Sequence, residues 1–176
     1  MQDQREFEEL LRRFELPLLQ YATRIIGNTE GAKDVVQETF IKFQRNGAIS
    51  REKTVTWLFT VCRNGALNVC RKDQRMVFLA EDFVEAQQDE QPTPYERIEE
   101  KEATSFLMQI VATLPPRQQE VLQLKFQNDL SYEQIAEITK TTANSVGVLI
   151  HTALKTLRQR YGGASRDFIP FRRKNT

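Results

Sequence analysis

Cysteine, histidine, glycine and proline are all scarce in this chain. Its 176 residues include 2 cysteines, 1 histidine, 7 glycines and 6 prolines. Cys62 and Cys70 are separated by about 12 Å along a predicted helix, which is too far for a disulfide bond. Because His151 is remote from both, metal-ligand spacing is missing as well, and the cysteines are expected to be small core residues. Few glycines and prolines, without strand-like alternation, predict an all-helical fold.

Long apolar runs and catalytic patterns are also missing. No stretch is long enough to cross a membrane, and the first residues, MQDQREFEELLRR, lack the apolar core of a signal peptide. We therefore expect a cytoplasmic protein without membrane insertion. There is no glycine-rich phosphate loop, no Ser or Cys nucleophile placed beside a histidine, and no HExxH motif. The sequence thus predicts no catalytic residues, no metal ion and no cofactor.

The net charge of +1 conceals an uneven distribution of charged residues. Residues 1–79 carry 13 Lys and Arg against 10 Asp and Glu, and residues 105–161 carry 6 against 4. Between them, residues 80–104 carry 2 against 9, while residues 162–176 carry 4 against 1. Two mildly basic units flanking an acidic segment favour nucleic-acid binding more than either unit would alone.

Apolar periodicity predicts helices at 3–14 and 16–26, with a break near Pro17, then at 31–45 and about 55–75. Gly27 and Asn28 form a stop followed by a cap. A polar stripe lies on the fourth helix, opposite its apolar face, and consists of Asn64, Asn68, Arg71 and Arg75, with Arg63 and Lys72 beside it. Amides and arginines on one face can hold phosphates and bases. A solvated basic face would explain the stripe equally well.

The sequence pattern of residues 114–160 predicts three further helices. Pro115 and Pro116 suit a helix entry, and that helix carries the apolar residues Val121, Leu122, Leu124 and Phe126. Ser131 and Gln134 form a capping box, and after a polar turn Thr142 caps a long helix. A short helix, a turn and a longer helix constitute a helix-turn-helix, whose outward residues are Asn144, Ser145, Val148 and Thr152. Such side chains can contact base edges and thymine methyl groups. A three-helix bundle without nucleic acid would show the same pattern.

Three motifs resemble a known family, the extracytoplasmic-function (ECF) group of sigma-70-type RNA polymerase sigma factors. They are D-x-x-Q-E-x-F at 34–40, W-L-x-x-x-x-R-N at 57–64 and L-P-x-R-x-x-E-V at 114–121. The resemblance implies region 2 at 1–79, an acidic linker at 80–93, region 4 at 94–161 and a basic tail at 162–176. It also implies core RNA polymerase, promoter DNA and an anti-sigma factor as partners.

The resemblance assigns roles to individual residues. The helix at 31–45 would dock on polymerase through Asp34, Gln37, Glu38 and Lys42. The helix at 55–75 would read a minus-10 element through Arg63, Asn64, Asn68, Arg71 and Arg75. The helix-turn-helix would read a minus-35 element through Thr142, Asn144, Ser145, Val148 and Thr152.

The chain departs from the family pattern in region 4. Lys140 stands where the family usually has glycine, so either a non-glycine residue has positive φ, at a cost of roughly 1 kcal/mol, or the turn differs. Basic positions of the recognition helix are occupied by Gly147, Leu149 and Thr152. Two alternatives are a free-standing helix-turn-helix regulator, which would leave the 34–40 motif unexplained, and an enzyme, for which metal ligands are missing.

Overall fold

The computed structural model describes residues 2–46, 49–79 and 108–161, and all of its regular elements in those ranges are helical. The first unit consists of α1 (Gln2–Ile26), α2 (Thr29–Arg45) and α3 (Arg51–Leu79). The second consists of a helical segment at 108–112, then α4 (Pro116–Leu122), α5 (Tyr132–Thr139) and α6 (Ala143–Tyr161). The prediction of an all-helical fold is confirmed. The predicted acidic linker and the tail lie outside the described residues.

The expected break at Pro17 is wrong, because α1 runs through it as one helix of 25 residues. Proline removes one backbone hydrogen bond and normally kinks a helix. The apolar face nevertheless continues across this position, with Phe14, Leu18 and Tyr21 all buried. Packing of that face supplies most of the stability of a helix in a folded protein, so it outweighs the local loss.

The boundaries of α2 and α3 follow from local hydrogen bonds. The predicted cap is confirmed: Gly27 has a φ of 87°, and the Asn28 side chain accepts a hydrogen bond of 2.8 Å from the Gly31 amide. Helix α3 begins at Arg51, four residues before the predicted start. Its first turn is closed on the Ser50 carbonyl by the amides of Lys53 and Thr54. Thr54 is buried, so tertiary packing extends the helix into the predicted loop.

The core of the first unit lies where α1, α2 and α3 meet. Leu18, Tyr21, Leu58 and Phe59 are fully buried there, as is Cys62. Cys70 is only half-buried, so the expectation of a core position holds for Cys62 alone. Both cysteines are free thiols.

The second unit contains a π-helical turn that the sequence did not predict. Helix α4 begins at Pro116, as expected, but continues as π-helix over Gln123–Gln127. A π-helical turn holds more residues than an α-helical turn, so residues in it leave the register of the apolar face. Phe126 lies within this turn and has 44% of its surface exposed, whereas Gln123 is buried.

The two units pack against each other through α3 and α5. Buried apolar residues of both units form one continuous cluster, which includes Leu58 and Phe59 from the first and Leu124 and Ile135 from the second. Within the described ranges, no helix combines the length and apolar character needed to span a bilayer.

Candidate nucleic-acid interface

The polar stripe of α3 is largely on the surface. Asn68 and Arg71 are exposed and Asn64 is half-buried. The Arg71 guanidinium lies 3.5 Å from the Asn68 side-chain oxygen, so these two groups share one patch. The backbone of Arg75 continues the same helix, but its side chain lies outside the described residues.

Arg63 is placed differently from the rest of the predicted DNA-binding set. Its Nε donates a hydrogen bond of 2.7 Å to Oε1 of Glu120, and its Nη2 lies 3.3 Å from Oε2. Only 17% of the Arg63 side-chain surface and 15% of the Glu120 side-chain surface are exposed to solvent. Burial alone would lower the pKa of Arg63, but the hydrogen bond and charge of Glu120 raise it overall. In this structure Arg63 is therefore an ion-pair partner at the junction of the units.

Tyr21 and Arg24 of α1 complete the polar part of this junction. The Tyr21 hydroxyl donates to Oε1 of Glu120 over 2.7 Å, and Arg24 Nη2 donates to the Gln119 side-chain oxygen over 3.0 Å. Burial, followed by the charge of Glu120, raises the pKa of Tyr21 above its usual value. Sequence reasoning did not assign a role to Glu120, although it is the glutamate of the L-P-x-R-x-x-E-V motif.

The helix-turn-helix forms as predicted. The Ser131–Gln134 capping box is present at the start of α5, and Lys140 ends that helix with φ 55° and ψ 49°. Thus Lys140 adopts the left-handed conformation in which glycine is usual. The Thr141 amide closes the turn by donating to the Ala136 carbonyl over 2.9 Å. This bond fixes how α5 leads into α6.

The predicted recognition residues divide into two groups. Asn144, Val148 and Thr152 are exposed, and Val148 keeps 58% of its surface accessible. Thr142 accepts a hydrogen bond of 3.2 Å from the Ser145 amide, and the two hydroxyls lie 2.8 Å apart. Thr142 and Ser145 therefore cap the N-terminus of α6.

Two exposed residues on the same face of α6 were missed by sequence reasoning. His151 and Lys155 follow Val148 at steps of three and four residues, and both are exposed. This spacing is visible in the sequence and could have identified them. Lys155 supplies a cation in the second half of a helix whose first two turns have none.

The face of α2 opposite the core carries the polar residues of the D-x-x-Q-E-x-F motif, whereas its Phe40 is buried. Asp34, Gln37, Glu38 and Lys42 are all exposed. Lys42 Nζ lies 2.9 Å from Glu38 Oε1, and this hydrogen bond lowers the pKa of the Glu38 carboxyl. Pairs of this kind, one turn apart on a helix surface, contribute little stability. Their charges remain available to a partner.

An open groove runs beside this polar face, between α1 and α2. Its volume is about 390 Å³, and its lining includes Phe7, Leu11, Phe40 and Ile41 as well as Gln37. Ile41 is 39% exposed, which sequence reasoning did not anticipate. The surface of α2 therefore combines charged groups with accessible apolar side chains.

Comparisons with known proteins place both units in one family. The family model "Sigma-70 region 2" matches residues 10–76, and "Sigma-70, region 4" matches residues 107–157. The RNA polymerase sigma factor YlaC of Bacillus subtilis is 31% identical over 166 residues, covering 90% of this chain and 94% of its own. The ECF RNA polymerase sigma factor SigW of the same species is 24% identical, covering 89% of both chains.

Solved structures agree at the level of the fold. The sigma factor RpoE, in complex with the anti-sigma factor NepR from Bartonella quintana, has a TM-score of 0.69 at 20% identity, covering 91% of this chain and 99% of that chain. CnrH, in complex with the cytosolic domain of CnrY, has a TM-score of 0.60 at 19% identity, covering 92% and 91%. A match to region 2 is not expected of a free-standing regulator, so that alternative is not favoured. The chain belongs to the ECF group of sigma-70 RNA polymerase sigma factors, and it directs promoter-specific transcription initiation through its regions 2 and 4.

Proposed function

We propose that three exposed surfaces of this sigma factor have separate binding functions. The outer face of α2 binds core RNA polymerase, the polar stripe of α3 contacts the minus-10 element, and the start of α6 reads the minus-35 element. The observation that carries the proposal is that each helix buries its apolar face while its motif or stripe residues remain largely accessible.

Polymerase binding is assigned to Asp34, Gln37, Glu38 and Lys42. These residues form a charged and amide-bearing surface beside the apolar groove of α1 and α2. Protein interfaces combine an apolar centre with a polar rim. The groove supplies the apolar centre, and the motif residues supply the polar rim.

Minus-10 recognition is assigned to Asn64, Asn68 and Arg71, together with Arg63 and Arg75. Arginine binds phosphate through paired N–H donors, and amide side chains can bond to the exposed edges of unpaired bases. The exposed patch of Asn68 and Arg71 supports contact with a strand that has been separated from its complement.

Minus-35 recognition is assigned to Asn144, Val148 and Thr152, with Thr142 and Ser145 at the helix start. Asparagine can form two hydrogen bonds with adenine, and an exposed valine can contact a thymine methyl group. His151 and Lys155 extend this surface by a further turn. Because cations are few, recognition would depend on base edges more than on phosphates.

The remaining assignments follow from the family and the acidic composition of 80–93. We propose region 2 at 1–79, a linker at 80–93, region 4 at 94–161 and a basic tail at 162–176. We also propose that the chain acts in the bacterial cytoplasm without catalytic activity of its own. An anti-sigma factor is proposed as a partner, because the structural relatives were solved with such factors bound.

Run-off transcription tests the function directly. Core polymerase is supplied with a library of genomic fragments, with and without the purified chain. We expect new transcripts that start at a limited set of sites and share sequence near minus 10 and minus 35. If the chain instead binds duplex DNA tightly on its own and adds no transcripts, the residue assignments and the role in initiation are both wrong.

A further inference from the structure

The polar contact between the two units is centred on one carboxylate. Glu120 accepts hydrogen bonds from Arg63 Nε and from the Tyr21 hydroxyl, each over 2.7 Å, and its second oxygen lies 3.3 Å from Arg63 Nη2. Arg63, Glu120 and Tyr21 form the junction cluster. Arg63 belongs to the W-L-x-x-x-x-R-N motif and Glu120 to the L-P-x-R-x-x-E-V motif. The cluster therefore connects one motif of region 2 with one motif of region 4.

The geometry of this pair is the geometry with which arginine binds phosphate. A guanidinium presents two nearly parallel N–H groups, and either a carboxylate or a phosphate can accept both. In the junction cluster these positions are occupied by the two oxygens of Glu120. With its side chain only 17% exposed, Arg63 has little room for a second anionic partner.

We propose that Glu120 occupies the phosphate-binding position of Arg63, so that the packed arrangement of the two units prevents Arg63 from contacting promoter DNA. Contact between Arg63 and promoter DNA then requires the units to separate, which exchanges a carboxylate for a DNA phosphate on the same guanidinium. This inference rests on the proposed DNA-binding role of Arg63. It assigns Glu120 and Tyr21 a regulatory role rather than a place on the DNA-binding surface.

The exchange carries little energetic penalty because Arg63 has an anionic partner in both states. In the packed state the guanidinium has the Glu120 carboxylate, and on DNA it has a phosphate. A buried ion pair adds little net stability once the loss of hydration is counted, whereas removing one partner is strongly unfavourable. The junction cluster therefore opposes separation mainly when no phosphate is available.

Small-angle scattering and DNA binding by the full-length chain test the inference together. Glu120→Gln keeps the shape of the side chain but removes its charge, and Glu137→Gln is the matched control, because Glu137 is exposed on α5. We expect Glu120→Gln to increase the radius of gyration and to bind a single-stranded promoter oligonucleotide about tenfold more tightly. The affinity rises because Arg63 can contact DNA only in the separated state, and the population of that state has increased. Adding Arg63→Ala to Glu120→Gln should remove the gain.

Further variants keep the test decisive. If circular dichroism shows that Glu120→Gln does not fold, Tyr21→Phe is measured instead and should give a smaller change in the same direction. The charge exchange Arg63→Glu with Glu120→Arg should restore the compact radius that Glu120→Arg alone loses. An unchanged radius in Glu120→Gln, or a larger radius without tighter DNA binding, overturns the inference. Failure of the proposed function looks different: the wild-type chain would add no promoter-specific transcripts to core polymerase.

Discussion

At the scale of single residues, Lys140 keeps the turn of the helix-turn-helix in a backbone conformation that is strained for a non-glycine residue. Among the described residues, Lys140 and Asp129 are the non-glycine residues with positive φ, at 55° and 51°. The left-handed conformation brings the β-carbon close to the backbone and disfavours most side chains. Of the two possibilities that the sequence left open, the structure shows the strained lysine. The helix-turn-helix geometry is kept without the usual glycine.

We therefore expect Lys140→Gly to stabilise the chain by about 1 kcal/mol, because glycine adopts this conformation without the steric penalty. Urea unfolding monitored by circular dichroism measures the change. Lys140→Ala is the control, since it removes the same charge but keeps the β-carbon. Equal stabilisation by both variants would assign the effect to charge instead of backbone strain.

The buried side chains of Cys62 and Tyr21 make the stability of the fold depend on pH. Burial raises the pKa of the Cys62 thiol from 9.0 to about 12, and burial with the charge of Glu120 raises the pKa of Tyr21 above its usual 10.0. The unfolded chain therefore releases these protons at lower pH than the folded chain does. The stabilising contribution is complete below pH 9 and falls as the pH rises, first through Cys62 and then through Tyr21.

Tyr21→Phe separates the two contributions. Each group that ionises only in the unfolded chain lowers the free energy of unfolding by about 1.4 kcal/mol per pH unit. We expect the wild type and Tyr21→Phe to lose stability in parallel between pH 9 and 10, and the wild type to lose more above pH 10. Urea unfolding in steps of half a pH unit measures this. Identical slopes above pH 10 would show that Tyr21 ionises equally in both states.

At the scale of elements, helices α2 and α3 each have one exposed face, to which we assign a function, and one face that packs in the core. Both are amphipathic, and the buried face of each is fixed by contacts with α1. Substitutions on the outer faces should therefore change binding without unfolding the helices. This separation makes the two proposed roles experimentally distinguishable.

For α2, we expect Asp34→Lys combined with Glu38→Lys to weaken core-polymerase binding at least about tenfold, which corresponds to about 1.4 kcal/mol. Both side chains are exposed, so helicity should be retained. The measurement is co-purification with tagged core enzyme at several concentrations. Glu8→Lys with Glu9→Lys makes the same charge change at exposed positions of α1 and should bind normally. Undiminished binding by the α2 variant would exclude this face as the docking site.

For α3, we expect Arg71→Ala to impair opening of the promoter while leaving polymerase binding intact. Loss of one guanidinium removes a charge-assisted bond to the displaced strand, worth roughly 1.5–3 kcal/mol. Permanganate footprinting of unpaired thymines measures the opened region. Arg12→Ala removes an exposed arginine from α1 and is the control. A normal footprint for Arg71→Ala would make the stripe a solvated surface only.

At the scale of the whole molecule, the packing of the two units and the modest charge of each predict weak DNA binding by the chain alone. Residues 1–79 have a net charge of +3 and residues 105–161 of +2. The sequence-independent attraction to phosphates is correspondingly small. Arg63, moreover, is paired with Glu120 in the packed arrangement.

We expect gel shifts of the chain alone on duplex promoter DNA to show weak binding with a shallow salt dependence. Each neutralised phosphate contributes about 0.9 to the slope of log affinity against log salt concentration, and the two units carry only small net positive charges. Addition of core polymerase should produce a specific complex on the same fragment. A steep slope for the chain alone, equivalent to several phosphates, would show that another surface binds DNA.

The sequence by itself determined the helical class, most helix ends and the family. Helix caps such as Asn28 and the Ser131–Gln134 box depend on residues within one turn, and the buried faces follow from apolar periodicity. The exposed positions of Asp34, Glu38, Asn144 and Val148 could therefore be predicted from the chain alone.

Only the tertiary structure decided which faces of the two units meet. Arg63 and Glu120 are 57 residues apart, and no local pattern indicates that they form an ion pair. Likewise, the continuity of α1 through Pro17 and the exposure of Phe126 within the π-helical turn depend on packing around them. Local hydrogen bonding and periodicity set the elements, whereas long-range burial and charge pairing set their arrangement.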